Sequence, residues 1–285
     1  MSLTPDHKPH PRTYAVLAIL GACVMAAVLL VVSTGTEIED SDAEVASLPP
    51  LVATEIHSGL GYALDEVAAR KAVPALFIDS IEVNLDRIRD VDEKKTTFFR
   101  IMLPIIAREN DRIRNERAQI KANPDNVSGK LFDKYGVEDG DVKELLRRVD
   151  VVPASLVLSQ AALESGWGTS RFARHGNNFF GMRTYDKDAK GIDPKEAEGF
   201  KVMVFKDITS SVRAYMLNLN THSAYKKLRQ ARADQRAKGE APAGRLMTNY
   251  LTAYSEIPEK YGARLRGMME RNRLERFDGV RIARD

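Results

Sequence analysis

Nineteen consecutive residues, Tyr14 to Val32 (YAVLAILGACVMAAVLLVV), carry no charge, and that run divides the chain before any other feature is weighed. At about 1.5 Å per residue a helix over it is roughly 28 Å long, close to the thickness of a bilayer's hydrocarbon core. A buried helix of a soluble protein ordinarily keeps a polar edge at this length, and this run has none. Lys8 and Arg12 precede it, whereas Glu37, Glu39, Asp40, Asp42 and Glu44 follow it with no Lys or Arg before Arg70. The positive-inside rule therefore predicts residues 1–13 as a cytoplasmic tail, residues 14–32 as one transmembrane helix and the body on the outer side. A cleaved signal peptide would have a shorter apolar run and an A-x-A site, and none follows Val32. Leu20-Gly21-Ala22-Cys23 has the form of a lipidation site, but apolar residues continue after Cys23 where a polar tether would begin.

The whole chain is 44% hydrophobic and 29% charged, which suits a packed globular body. Its net charge of +3 conceals a partition: residues 1–35 hold +1, residues 36–50 hold −5 and residues 51–285 hold +7. A basic exported body suits an anionic polymer or a membrane surface, and its export argues against nucleic acid. The single Cys lies within the apolar run, which excludes a disulfide framework, a Cys-rich zinc module and a thiol hydrolase. There is no H-E-x-x-H, no G-x-S-x-G and no Gly-rich phosphate loop, so neither metal nor cofactor is expected, and His175 reads as a loop residue.

Residues 33–50 are acidic and polar and end in Pro49-Pro50, the composition of a solvated linker. From Ile81 to Ile120 apolar residues recur at helical spacing, which predicts a long helical scaffold with a kink or break near Leu103, ahead of Pro104. Short helices are predicted around Leu131–Tyr135 and Val142–Val149, and a further helix opens at Pro153 and stops at Gly166-Trp167-Gly168. Alternation through Val202, Met203, Val204 and Phe205 suggests one strand of a small hairpin. Helical periods then cover Ile208–Asn220, Ala224–Lys238, Gly244–Ala253 and Pro258–Leu274. The basic cluster Lys226, Lys227, Arg229, Arg232, Arg236 and Lys238 reads as one charged face of an exposed helix.

The stretch Pro153–Arg183 concentrates the chemistry. One carboxylate, Glu164, sits at the end of an apolar, Ala-rich helix beside the only Trp. Desolvation there would raise its pKa and let it keep a proton near neutrality, as a general acid must; the alternative is an exposed terminal carboxylate.

Ala161-Ala162-Leu163-Glu164-Ser165-Gly166-Trp167-Gly168, followed by Asn178-Phe179-Phe180-Gly181-Met182-Arg183, resembles the bacterial glucosaminidase domain, glycoside hydrolase family 73. The likeness continues through Phe205-Lys206-Asp207, Ser211–Tyr215, Tyr254 and Tyr261-Gly262, and so spans roughly residues 130–275. Lys95–Pro104 and Asn218–His222 look like its membrane-anchored Bax-protein branch. The resemblance implies a mainly α, lysozyme-like α+β domain at 130–275 with a small β hairpin lobe, after a helical region at 51–129 and before a tail at 276–285. It implies hydrolysis of the β-1,4 bond of the N-acetylglucosamine and N-acetylmuramic acid glycan, with Glu164 as general acid, in a bacterial inner-membrane protein whose C-terminal domain is periplasmic. The family's second carboxylate falls on the hairpin, where Glu198 is the first choice, ahead of Glu196 and Asp193; some relatives rely on the substrate's acetamido group instead. Tyr254 is expected at the substrate. Trp167 stacks on sugar or plugs the core, Asn178 and Phe180 touch substrate or shape the loop beneath the acid, and Arg183 meets a stem-peptide carboxylate or solvent. The rival from another class is a non-catalytic wall-binding protein that keeps the fold. An amidase, which would need zinc ligands, has no support in the sequence.

Overall fold

The computed structural model describes residues 60–78, 85–195, 199–254 and 258–283. The apolar run at 14–32, the linker at 33–50, Glu196 and Glu198 lie outside the described residues. Among those described, no helix is long and apolar enough to cross a membrane.

The chain begins with α1 (Leu64–Arg70) and β1 (Ala72–Val73), and after a 3-10 turn at Leu85–Arg87 enters α2 (Val91–Ala122). Two short helices, α3 (Gly129–Tyr135) and α4 (Val142–Arg148), lead to α5 (Ala154–Ser165) and α6 (Arg171–Gly176). Then come β2 (Arg183–Thr184), β3 (Gly191–Ile192) and β4 (Lys201–Met203). They form an antiparallel sheet with β4 in the middle, Arg183 opposite Val202 and Gly191 opposite Met203. The return is helical, through α7 (Ile208–Thr221), α8 (Lys226–Ala237), α9 (Gly244–Met247) and α10 (Pro258–Arg271), before β5 (Arg281–Ile282). The body is mainly α with a small sheet, as the periodicities indicate.

The hydrophobic core is continuous from Leu60 to Val280, with no seam at residue 129. Phe98, Ile101, Met102, Ile105 and Ile106 of α2 are all buried in it, and α2 packs on α5, α7 and β5. β1 pairs in parallel with β5, Val73 opposite Ile282, and the Ala283 amide donates to the Val73 carbonyl at 2.8 Å. The expected tail at 276–285 is therefore part of the fold through Ala283, stitched to the N-terminal region.

α2 runs unbroken past Pro104, so of the kink or break expected near Leu103 the break does not occur. Proline has no N–H, so the Arg100 carbonyl, four residues back, loses its helical donor. The Tyr62 hydroxyl replaces it, donating to that carbonyl at 2.7 Å. At the start of α2 the Asp90 side chain accepts from the Glu93 amide at 2.7 Å, an N-cap that fixes where the helix begins.

α5 is the axis of the body. From Ala154 to Ala162 every residue is buried, and small side chains let neighbours approach closely. A Cβ on Gly244 would lie 2.1 Å from Ser155 Oγ, so only glycine lets α9 meet α5 there. The N-cap residue is Pro153 itself, one position before the helix proper, and it has no side-chain acceptor to offer. Asp278 caps from across the chain: its carboxylate oxygens accept from the Ser155 amide at 2.8 Å and the Ser155 hydroxyl at 2.9 Å.

The basic cluster on α8 is not a uniformly exposed face. Arg229 and Arg232 are 1% and 0% exposed. Arg232 donates to the carbonyls of Arg147, Arg148, Asp150 and Val151 and to Asn220 Oδ1, placing a cation against the C-terminal end of α4. Arg236 forms a bidentate pair with Asp150. The remaining members, Lys226, Lys227 and Lys238, are exposed as expected.

Candidate active site

Glu164 lies in the last turn of α5, half-buried, with its side chain held by one strong contact. The Tyr261 hydroxyl, on α10, donates to Glu164 Oε1 at 2.7 Å. Tyr261 accepts in turn from Gln160 Nε2 at 3.0 Å, and Gln160 Oε1 accepts from the Tyr215 hydroxyl on α7. Gln160 and Glu164 are four residues apart on α5 and so share a face. The chain of bonds has one direction, from Tyr215 through Gln160 and Tyr261 to the carboxyl.

Burial raises the pKa of Glu164; the Tyr261 hydrogen bond and the charges of Arg264 and Arg183 pull it back without cancelling the rise. The carbonyl-rich C-terminal end of α5 acts in the same direction as burial. Because Oε1 is occupied as an acceptor, the proton of the neutral acid belongs on Oε2. The site therefore holds the carboxyl in a fixed orientation and favours its protonated form more than solvent would, the direction a general acid requires.

Tyrosines insulate this carboxyl. Burial pushes the phenols of Tyr215, Tyr225, Tyr254 and Tyr261 upward, so each stays a neutral donor. Tyr254 was expected at the substrate, but it is 5% exposed and stacks on Tyr261, with centroids 5.7 Å apart and planes within 3°. It supports the tyrosine that touches Glu164, and its own hydroxyl is buried without a hydrogen-bond partner.

The turn after Glu164 is unusual. Gly166, Trp167 and Gly168 have φ of 57°, 62° and 79°, three successive residues in the left-handed region. The Ala162 carbonyl accepts from both Gly166 and Trp167 amides, and Ser165 Oγ accepts from the Gly168 amide at 2.8 Å. For Trp167 this backbone is costly, and packing holds it: Phe98 and Phe99 of α2 meet its ring edge-on at 5.7 and 5.6 Å, and Lys95 Nζ lies 5.8 Å above it. Trp167 is half-buried. Its packing is the core plug that the sequence allowed.

Asn178 and Phe180 shape the loop. Asn178 is 1% exposed and spends its amide on the carbonyls of Met182 and Met203 and its oxygen on the amides of Phe180 and Met182. Phe180 is 1% exposed and stacks on Tyr215 at 3.9 Å. Neither side chain is left for substrate, so of the two roles the sequence left open they take that of shaping the loop. Their work ties the β lobe to the tyrosine layer.

Asp193 follows β3 and is exposed. Glu196 and Glu198 belong to the segment between β3 and β4 that lies outside the described residues. Arg183, on β2, stacks its guanidinium 3.9 Å from the Phe200 ring centroid and exerts its charge on Glu164. Sequence reasoning singled out Glu164 but passed over Gln160 and Tyr261. The available signal was a lone amide four residues before the acid on an otherwise apolar helix.

Comparison with known proteins places these elements together. Residues 140–274 match the glucosaminidase family, described as mannosyl-glycoprotein endo-beta-N-acetylglucosaminidase. Protein bax of Escherichia coli K12 is 31% identical over 194 residues, covering 63% of this chain and 70% of its own. The catalytic domain of the autolysin Auto from Listeria monocytogenes shares 15% identity across 76% of this chain and 98% of its own; at a TM-score of 0.36 it lends no weight to the argument. The matched span contains α5 with Glu164, the β lobe and α10 with Tyr261, and the chain belongs to the glucosaminidase family, on its Bax-protein branch.

Proposed function

We propose that the protein is a peptidoglycan hydrolase that cleaves the β-1,4 bond of the N-acetylglucosamine and N-acetylmuramic acid glycan, with Glu164 as the general acid. The observation that carries the reading is the half-buried Glu164 carboxyl, raised in pKa and anchored through Oε1 by Tyr261. Its Oε2 proton passes to the glycosidic oxygen as the bond to the anomeric carbon breaks and positive charge develops on the sugar. Family membership supports the glycan as substrate, and the lysozyme-like arrangement is the fold the family implies.

The second carboxylate role is assigned to Glu198. Its support is the family resemblance, in which the second acid falls on the hairpin some thirty residues after the first. Glu198 would activate water or stabilise the developing oxocarbenium centre. The apolar run 14–32 supports a single membrane span with this body outside, facing the cell wall.

The test uses the full-length protein in detergent, its Glu164→Gln variant and its Glu198→Gln variant, each incubated with purified peptidoglycan. Released ends are reduced and identified by mass spectrometry. New reducing N-acetylglucosamine ends from the parent, with loss in Glu164→Gln, are the expected result. Equal release from parent and Glu164→Gln would remove Glu164 from the mechanism. Binding without release from any of the three would favour a non-catalytic wall-binding protein.

A further inference from the structure

Arg183 lacks, among the described residues, the carboxylate partner that many arginines of this protein have. Arg108 and Arg213 meet Glu109, Arg114 meets Asp111, Arg147 and Arg148 meet Glu144, and Arg117 and Arg236 meet Asp150. Among the described residues no carboxylate forms an ion pair with Arg183. Its guanidinium lies over Phe200, 3.9 Å from the ring centroid, and its neighbour Tyr185 is 43% exposed with its ring 6.2 Å from that of Phe200. The Arg183 Nε is buried without a hydrogen-bond partner, a state it shares with the Nε of Arg100, Arg108, Arg229, Arg232 and Arg276. Position is fixed by the ladder, with Arg183 opposite Val202 of the central strand.

The charge is also oriented. Arg183 and Glu164 feel each other electrostatically, so the guanidinium is in the neighbourhood of the carboxyl that would protonate the scissile bond. That acid is neutral when competent, so it does not quench the cation. A planar cation stacked on one aromatic ring and flanked by another exposed one is a surface for a sugar ring that carries a carboxylate.

We propose that Arg183, with Tyr185 and Phe200, forms a carboxylate-reading subsite beside Glu164, and that this subsite selects glycan whose sugar bears a free carboxylate. The inference rests on the glycan-hydrolase reading and adds which chemical group of the substrate is recognised. Two sources of that group exist in such a polymer: the lactyl carboxylate of a muramic acid without peptide, and the carboxylates of an attached stem peptide. Arg183 acts on substrate positioning and specificity, not on proton transfer.

The experiment measures binding apart from cleavage. Full-length Glu164→Gln protein is titrated with three soluble glycan fragments: peptide-bearing, the same fragment with its carboxylates amidated, and fragment stripped of peptide to expose the lactyl carboxylate. Parallel titrations use Glu164→Gln combined with Arg183→Gln, with Arg183→Lys, or with Arg264→Gln. A charge-assisted contact to the stem peptide predicts about tenfold weaker binding of the amidated fragment, the same loss from Arg183→Gln, and no further loss when the two are combined, whereas a contact to the lactyl group predicts about tenfold tighter binding of the stripped fragment, lost in Arg183→Gln. Arg183→Lys recovers part of the preference, which separates recognition from folding. Tight binding of the stripped fragment assigns the lactyl group, and weak binding assigns the stem peptide. In the protein with Glu164 intact, KM follows the same pattern. Indifference of the Arg183-containing protein both to amidation and to stripping of the peptide overturns the proposal without any variant, as does an equal loss from Arg264→Gln, which would mark a diffuse field. Carboxylate preference without cleavage by the parent would leave the subsite standing and remove the hydrolase reading.

Discussion

The Tyr261 hydroxyl donates to Glu164 Oε1 at 2.7 Å, so the acid is oriented by a residue 97 positions away in the chain. That bond opposes the effect of burial on the carboxyl. Removing it in Tyr261→Phe leaves burial less opposed and raises the Glu164 pKa further. The alkaline limb of the kcat/KM profile, where the acid loses its proton, then moves to higher pH. The looser carboxyl also lowers kcat by about tenfold, the worth of one hydrogen bond to an ionisable group. Profiles of parent and variant on the same glycan check both; an unmoved alkaline limb would show that Tyr261 does not act on the proton of Glu164.

A second tyrosine repairs a backbone. Pro104 deprives the Arg100 carbonyl of its helical donor, and Tyr62 supplies one from a different element. Tyr62→Phe keeps the ring and removes only that donor, and it is expected to destabilise the fold by about 1 kcal/mol. Pro104→Ala restores the amide within α2, so the Tyr62→Phe cost shrinks in that background. Urea denaturation of the four proteins forms the cycle; equal costs in both backgrounds would break the link between Tyr62 and Pro104.

These two tyrosines show where sequence reading succeeds and where it stops. Most helical and strand periods were legible because the element buries one face, and Glu164 was legible because a carboxylate in an apolar run is rare. Whether Pro104 kinks or breaks its helix was not legible, because the donor that stands in for the missing amide, Tyr62, is distant in sequence and nothing local announces it. Likewise Tyr254 and Tyr261 are both plausible neighbours of the acid from their order alone, and only the packing of α10 on α5 decides that Tyr261 makes the contact. For Asn178 and Phe180 the sequence left substrate contact and loop shaping both open, because polar and aromatic residues in a loop serve either. Their burial follows from the β lobe folding back over α7.

The cluster on α8 separates by burial into two kinds of cation. Arg232 holds five oxygen acceptors while fully enclosed, and burial lowers its pKa to about 10, still charged at neutral pH. Arg232→Met leaves those acceptors unserved around an apolar chain, and the expected cost is about 3–5 kcal/mol. Lys227 is exposed, and Lys227→Ala is expected to stay within about 0.5 kcal/mol. Thermal and urea unfolding of both variants checks the contrast. Similar small effects from the two would restore the reading of a single solvated basic face.

Asp278 links stability to pH through the start of α5. A carboxylate accepting from the Ser155 amide and hydroxyl would ordinarily titrate low, because a helix N-terminus favours the charge. Burial outweighs those bonds and raises its pKa from the usual 3.8 to about 6. The folded state thus holds the proton more tightly than the unfolded chain. Its stabilising contribution is complete below about pH 4 and is lost as pH rises through about 6, the reverse of a salt-bridged acid. In Asp278→Asn the amide oxygen still accepts from the Ser155 backbone, and the Ser155 hydroxyl turns to accept from the amide nitrogen. The stability difference between parent and variant should therefore change in the variant's favour between pH 4 and 6.5 and be level above it. Urea denaturation across pH 4 to 8 measures this, and a difference that does not vary with pH would mean that Asp278 is ionised throughout and that its hydrogen bonds at the head of α5 outweigh its burial.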